Sequence, residues 1–341
     1  MISPIQPPDV PAGGPPSLPR LHSSSGPEDA SAGTGANVSA PDARPPVLVT
    51  GATSHTGERV VAQLLAQGAR VRILTRDAGK LARLGMDASR LDVRQGDLTA
   101  PWTLWEALSG CRALLNIAHV RYSAVCVRAC RAIGVRRLIV MSSTRRFTRW
   151  PCETSRAVNR GESAVRGSGL DWTILRSTMI YGGPRDNNIT RIMRWVARHR
   201  WIPLVGGGRT LIQPVYVDDL AGLIVRALDH PAAAGHVFTV GAPEPISYRA
   251  LIEEIARLMN KRIWLMNVPA SVALAAGIVL EKAAPRLRIR AEQVRRLQED
   301  KAFDIGETCR ALDFHPRPVR QGLRDKMLSN PEFSPLLKPV E

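Results

Sequence analysis

Lysine is scarce in this chain: six lysines stand against 41 arginines in 341 residues. They are Lys80, Lys261, Lys282, Lys301, Lys326 and Lys338, so an ammonium drawn from residues 81–260 is excluded. Cysteine is sparse too. Cys111, Cys126, Cys130, Cys152 and Cys309 form no Cys-x-x-Cys pair, which excludes a zinc ribbon and argues against a disulfide scaffold. Cys126 and Cys130 lie four apart on an expected helix and read as small buried thiols. Aromatic residues make up only 5% of the chain, and no nucleic-acid reading module is present, so nucleic acid is an unlikely partner. No apolar run suffices to span a membrane. The best candidate, 263–280, is interrupted by Asn267, Pro269 and Ser271. It reads as a strand end followed by a buried helix from Pro269, with peripheral membrane contact left open. The first 44 residues lack an apolar core of ~7–15 residues, so they are no secretory signal, and a cytoplasmic protein is expected. No metal-ligand cluster is expected.

What is present is a globular composition, 44% apolar and 23% charged, in a chain long enough for a sizeable core. The net charge is +17. Between residues 121 and 210, eighteen arginines face only Glu153, Glu162, Asp171 and Asp186. Such a field suits a small anionic substrate or an anionic surface, or else consists of solvated arginines on helix faces. Residues 1–44 are rich in Pro, Gly, Ser and Ala and read as a disordered tail. From Pro46 onward, strand-like runs at 47–49, 70–75, 91–95, 112–117, 137–142 and 172–176 alternate with helical stretches. That rhythm predicts an α/β fold, a Rossmann-type doubly wound parallel sheet over 45–183. A smaller, mostly helical subdomain interleaved with the sheet is expected over 184–330, with a strand at 211–217 and another at 236–240. A tail is expected over 331–341.

The first strand leads into Thr50-Gly51-Ala52-Thr53-Ser54-His55-Thr56-Gly57, which opens a helix. Small residues between a strand and a helix N-terminus let backbone amides approach a diphosphate. Gly51 suits the tight turn, Gly57 suits close helix–strand packing, and Ser54 stands where a middle glycine is usual. Arg76 directly follows the second strand, where an arginine suits a 2′-phosphate and a carboxylate suits a free 2′-hydroxyl. NADP(H) is therefore favoured, with Asp77 as the rival contact and NAD(H) as the alternative. Asp97 and Leu98 would flank the adenine, and Asn116, Ile117 and Ala118 the ribose side.

These residues resemble the short-chain dehydrogenase/reductase superfamily in its extended or atypical branch. TGATSHTG, GDLT, SGLDWTILR and QPVYVDDLA occur in the family's order. The chain from 46 to about 320 is similar to an NAD(P)H-binding group that includes the NDUFA-type accessory subunit of respiratory complex I and NAD-dependent epimerase/dehydratase-like proteins. The resemblance adds Ser142 and Arg176 to the expected cofactor contacts. It also implies a catalytic tyrosine four residues before a lysine, because tyrosine unaided titrates near ~10. Here the two slots fall near Thr154 and Val158, and no Tyr-x-x-x-Lys occurs anywhere. Arg156 and Arg160 are nearby, but arginine does not deprotonate. Glu162 matches a family acid and reads as structural or as paired with one of these arginines. Thr144, with Ser143 as the neighbouring alternative, occupies the family's hydroxyl position. Arg145, Arg146 and Arg149 follow, placed to hold an anionic substrate or simply solvated. His119, Tyr122, Tyr181 and Cys152 are weaker candidate groups. The resulting expectation is a dinucleotide-binding protein with weak, altered or no redox activity. The alternatives are an active NAD(P)-dependent reductase or nucleotide-sugar epimerase/dehydratase, and a non-catalytic accessory subunit of a larger complex.

Overall fold

Strand β1 (Val47–Thr50) is buried along its whole length, because both faces of the sheet to which it belongs are covered. The computed structural model describes residues 44–183, 185–283 and 291–337, all within one compact unit, Ser39–Glu341. Nearly all of the expected N-terminal tail, residues 1–43, lies outside the described residues, as do residues 338–341.

The remaining strands are β2 (Val71–Thr75), β3 (Leu91–Gln95), β4 (Ala113–Asn116), β5 (Arg137–Ser143), β6 (Asp171–Ser177), β7 (Ile180–Tyr181), β8 (Trp201–Val205), β9 (Leu211–Ile212), β10 (Val215–Tyr216), β11 (His236–Val240), β12 (Ile246–Ser247) and β13 (Trp264–Val268). Seven of them form the parallel sheet in the order β11-β6-β5-β4-β1-β2-β3, so the order reverses between β1 and β4. An open sheet of this kind binds ligands at the strand carboxyl ends beside that reversal. Side chains alternate: Val47 and Val49 pack into one apolar layer and Leu48 into the other.

The described helices are α1 (His55–Ala66), α2 (Gly79–Arg83), α3 (Pro101–Leu108), α4 (Ser123–Ile133), α5 (Glu153–Arg166), α6 (Asn188–Arg198), α7 (Val217–Asp229), α8 (Tyr248–Leu258), α9 (Ala270–Ala283), α10 (Ala291–Arg296), α11 (Gly306–Leu312) and α12 (Val319–Leu328). Helix α1 buries Val60, Val61 and Leu64 in the same layer as Leu220 and Leu223 of α7. Each such side chain contributes roughly 1.5–3 kcal/mol. A third cluster joins Ile189, Ile192, Met193 and Val196 of α6 to Leu251 and Ile255 of α8 and Leu323 of α12.

Three expectations are corrected. The strand at 211–217 is broken into β9 and β10, because Pro214 has no N–H and the buried Gln213 bonds Ala242 O at 2.8 Å and Phe303 N at 2.7 Å through its side chain. Helix α9 is largely exposed rather than buried, with Val272 56% and Val279 62% accessible. The segment from 331 is not a loose tail within its described part: Phe333 is fully buried, and Glu332 accepts from Arg194 at 2.8 Å.

Candidate functional site

The β1–α1 turn is shaped by two glycines. Gly51 has φ +72°, and a Cβ there would lie 2.6 Å from Ala118 N. A Cβ on Gly57 would lie 2.1 Å from Gly51 O, so only glycine lets α1 sit this tightly on the turn. Ser54 caps the helix, its Oγ accepting from Gly57 N at 3.0 Å. The amides of His55 and Thr56 make no hydrogen bond among the described residues and stand at the positive end of α1. Arg185 closes over the loop, donating to Thr53 O at 3.4 Å and Ser54 O at 3.2 Å and pairing with Glu58. Both ring nitrogens of His55 lack a partner. Its pKa is lowered to about 4, by burial first and then by Arg185, Arg59 and Lys326 against the opposing pull of Asp186. The imidazole is therefore neutral at pH 7. Beneath the turn, Asn116 is fully buried and Ile117 is buried beside it. Asn116 Oδ1 accepts from Thr50 Oγ1 at 2.9 Å while Nδ2 is unpartnered.

A cavity of about 320 Å³ opens beside this turn, lined among others by Gly51, Thr53, Thr75, Arg76, Gly96, Asp97, Leu98 and Ala118. It brings together the contacts expected at the ends of β1, β2 and β3. Ser54, His55, Thr56 and Gly57, the N-cap and first turn of α1, follow directly on the lining residue Thr53 but do not line the cavity themselves. Arg76 is 80% exposed and stands 3.7 Å from Asp97. Asp77 lines the same cavity, where it pairs with Arg83 and its Oδ1 accepts from Lys80 N at 3.2 Å. Asp97 accepts from Thr99 N at 2.8 Å, a bond that holds its carboxyl below the usual range. Lys80 also lines the cavity. Nothing in the motif pointed to it, although it is the only lysine before residue 261. The missing Cβ at Gly51, the unpartnered amides and the cationic rim fit a phosphate-bearing nucleotide.

Ser142 and Arg176 are not at this cavity. Ser142 Oγ donates to Glu162 Oε1 at 2.7 Å, and Arg176 grips both Glu162 oxygens at 2.9 and 2.6 Å. Glu162 is fully buried, and an isolated carboxylate there would be costly, so it gathers these partners. Arg146 joins at 3.4 Å and Arg166 at 3.4 Å, whereas Arg156 and Arg160 pair with Glu153 instead. Val158, at the lysine slot, packs in the apolar layer.

The two candidate hydroxyls part company. Ser143 Oγ accepts from Arg145 N at 3.2 Å and caps the 3₁₀ turn Thr144–Phe147. Thr144 makes only a long contact with Ser177 O, 3.4 Å, and lines a second cavity of about 540 Å³. Arg145 and Arg149 line it too, and so do Arg295, Arg296, Lys301 and Phe303, to which sequence reasoning assigned no site role. His119 and Tyr122 face the first cavity. Tyr181 is buried with its hydroxyl donating to Val319 O at 3.2 Å, and burial pushes its pKa up, so it is a packing residue. Cys152 is the N-cap of α5. Among the described residues no group of ligands could hold a metal, and no helix is long and apolar enough to cross a membrane.

The profile of the NAD(P)H-binding family matches residues 51–231. The mitochondrial NADH dehydrogenase (ubiquinone) 1 alpha subcomplex subunit 9 of Arabidopsis thaliana is 33% identical over 155 residues, which are 45% of this chain and 37% of that protein. The NADPH-dependent quinone oxidoreductase of Escherichia coli, solved with NADPH, superposes with a TM-score of 0.67 at 18% identity, covering 81% of this chain and 98% of that one. The UDP-glucuronic acid 4-epimerase of Bacillus cereus, solved with NAD, gives 0.66 at 16% identity over 86% and 100%. At such identities the structural likeness speaks for the fold.

Proposed function

Because this chain belongs to the NAD(P)H-binding family of the short-chain dehydrogenase/reductase superfamily, we propose that it binds NADP(H) in preference to NAD(H) and has weak, altered or no redox turnover. One observation carries the cofactor reading. The rival carboxylate Asp77 also lines the cavity but is engaged by Arg83 and by the α2 backbone, whereas Arg76 and Lys80 present cations there to meet a 2′-phosphate. Thr50, Gly51, Thr53 and Ala118 would lie against the nucleotide, and the loop amides would take its diphosphate. When bound, such a cofactor supplies a hydride donor or acceptor. The chain's own support for proton transfer is thin: Thr144 carries a hydroxyl into the second cavity, and α5 has neither Tyr nor Lys.

Calorimetry with NADPH and NADH tests the preference. Arg76→Ala should cost roughly 1.5–3 kcal/mol of NADPH affinity and leave NADH affinity nearly unchanged. Equal affinities in the wild type would overturn the preference, and no heat with either nucleotide would overturn the cofactor reading. Robust turnover on a panel of carbonyl compounds and nucleotide sugars would overturn the low-activity reading in favour of an active reductase or epimerase. Loss of that turnover in Thr144→Ala but not Cys152→Ala would place the hydroxyl in the chemistry.

A second reading, an accessory subunit docked on a larger assembly, is favoured by the exposed apolar face of α9, with Val272, Ile278 and Val279 accessible. Its test is co-purification of the tagged chain from cells at low salt, compared between wild type and Val272→Glu/Val279→Glu. Identical recoveries of partners would sink it.

A further inference from the structure

The cavity at the end of β5 carries more positive charge than its carboxylates answer. Five cations and two acids line it, Glu299 and Asp300 being the acids. Both acids are turned to the chain itself. Glu299 accepts from Thr148 Oγ1 at 2.8 Å and Arg149 N at 2.6 Å, and Asp300 accepts from Leu211 N at 2.8 Å. The cations are left over. Arg145 has no side-chain hydrogen bond or ion pair among the described residues. Arg296 touches Glu292 at 3.6 Å through Nη1, but its Nε is buried and unpartnered. Lys301 Nζ reaches only a backbone carbonyl, Arg296 O, at 2.9 Å. The three crowd one another: desolvation and then Arg296 hold Arg145 down, and desolvation, Arg296 and Arg145 hold Lys301 down. Glu292, Glu299 and Asp300 pull the other way, but none of them bonds Arg145 or Lys301, and like charges drawn together in this way suit an anion.

Besides Thr144, Thr148 and Gln298, the rest of the cavity wall is aromatic and aliphatic. Phe147 and Phe303 lie with ring centroids 5.6 Å apart, Arg295 stacks over Trp150 at 5.3 Å, and Leu274 of α9 adds an aliphatic surface. A small inorganic ion would leave that wall unfilled, whereas a cavity of about 540 Å³ has room for a ring or an acyl chain.

We propose that this cavity binds an organic anion, a carboxylate or phosphate carried on an aromatic or aliphatic body, with Arg145, Arg296 and Lys301 as its counter-charges. The inference deepens the reading above, since it rests on the dinucleotide reading for any reaction at Thr144. Binding itself does not depend on the dinucleotide. Unlike the expected trio Arg145, Arg146 and Arg149, the proposed one is drawn from both ends of the fold, and Arg146 is excluded by its bond to Glu162.

The test titrates 2-naphthoate, 2-naphthyl phosphate and neutral 2-naphthol into the full chain, followed by tryptophan fluorescence, with NADPH thermal protection measured in parallel. Both anions should bind about tenfold more tightly than naphthol at low salt, as charge-assisted contacts require. Whichever anion binds better identifies the head group. The advantage should shrink as salt is raised and fall to about threefold or less in Arg145→Met/Arg296→Met, with NADPH protection unchanged. Equal binding of all three compounds overturns the proposal, as does an anion preference that survives the double substitution. The wild-type salt dependence decides the matter should the double variant fail to fold. Anion preference without NADPH protection would uphold this inference and sink the dinucleotide reading alone.

Discussion

Arg145 and Arg146 are neighbours in sequence and opposites in use. Arg146 turns inward to Glu162, where Arg166, Arg176 and Ser142 already converge on one buried carboxylate. Arg145 turns toward Arg296 and Lys301 and meets no acid at bonding distance among the described residues. One neighbourhood is a structural knot of arginines drawn onto a buried carboxylate; the other is a cavity whose Arg145 and Lys301 side chains pair with no acid among the described residues. A sum over the window 121–210 could not separate them, because function depends on where four acids go rather than on how many arginines surround them. Glu162 alone takes up three arginines, so the basic excess that matters is the part it fails to reach.

The strongest way to break this comparison is to remove the knot's carboxylate. Glu162→Gln strands Arg176, which is only 11% exposed, without a counter-charge. A loss of about 3–5 kcal/mol in urea unfolding is expected. A loss under about 1 kcal/mol would mean that the knot is ornamental and that the two neighbourhoods do not differ. Acid should sharpen the same contrast. Burial opposes ionisation of Glu162, but the bonds from Arg176 and Ser142 outweigh it and hold the carboxyl below its ordinary value of 4.5. A carboxylate depressed in the folded state contributes stability that is complete above its unfolded pKa and is lost as pH falls through the folded one. The wild type should therefore lose stability steeply below about pH 4.5, and Glu162→Gln should flatten that descent in Tm-against-pH curves. Parallel curves would show that another acid governs the acid limb.

Legibility followed sequence distance. The sheet could be read from strand–helix alternation, and the β1–α1 turn from one contiguous run, because strand ends in a parallel sheet place neighbouring residues at one edge. The knot and the second cavity could not. Glu162 finds Arg176 on the next strand, not Arg156 or Arg160 on its own helix, and Arg145 finds Lys301 from 156 residues further along the chain. Hydrophobicity misled at α9: apolar residues at 270–280 suggested burial, yet the helix shows one apolar face to solvent. Its inner face carries Leu274 to the second cavity, a role that composition alone does not betray.

The smallest effect is also the most discriminating. Lys301 sits among like charges and is partly desolvated, and both conditions hold its pKa below the ordinary lysine value. A base depressed in the folded state destabilises the fold while it is charged, and that cost eases as pH rises toward the unfolded pKa. Lys301→Met keeps the aliphatic stem and removes the charge. It should therefore leave stability unchanged or raise it by about 0.5 kcal/mol at low salt, a gain that added salt should erase. Residues kept at such a cost are typical of binding sites, where stability yields to function. A clear loss of stability in Lys301→Met would show that the ammonium is already answered within the fold, and Arg145 would then belong with Arg146 rather than against it.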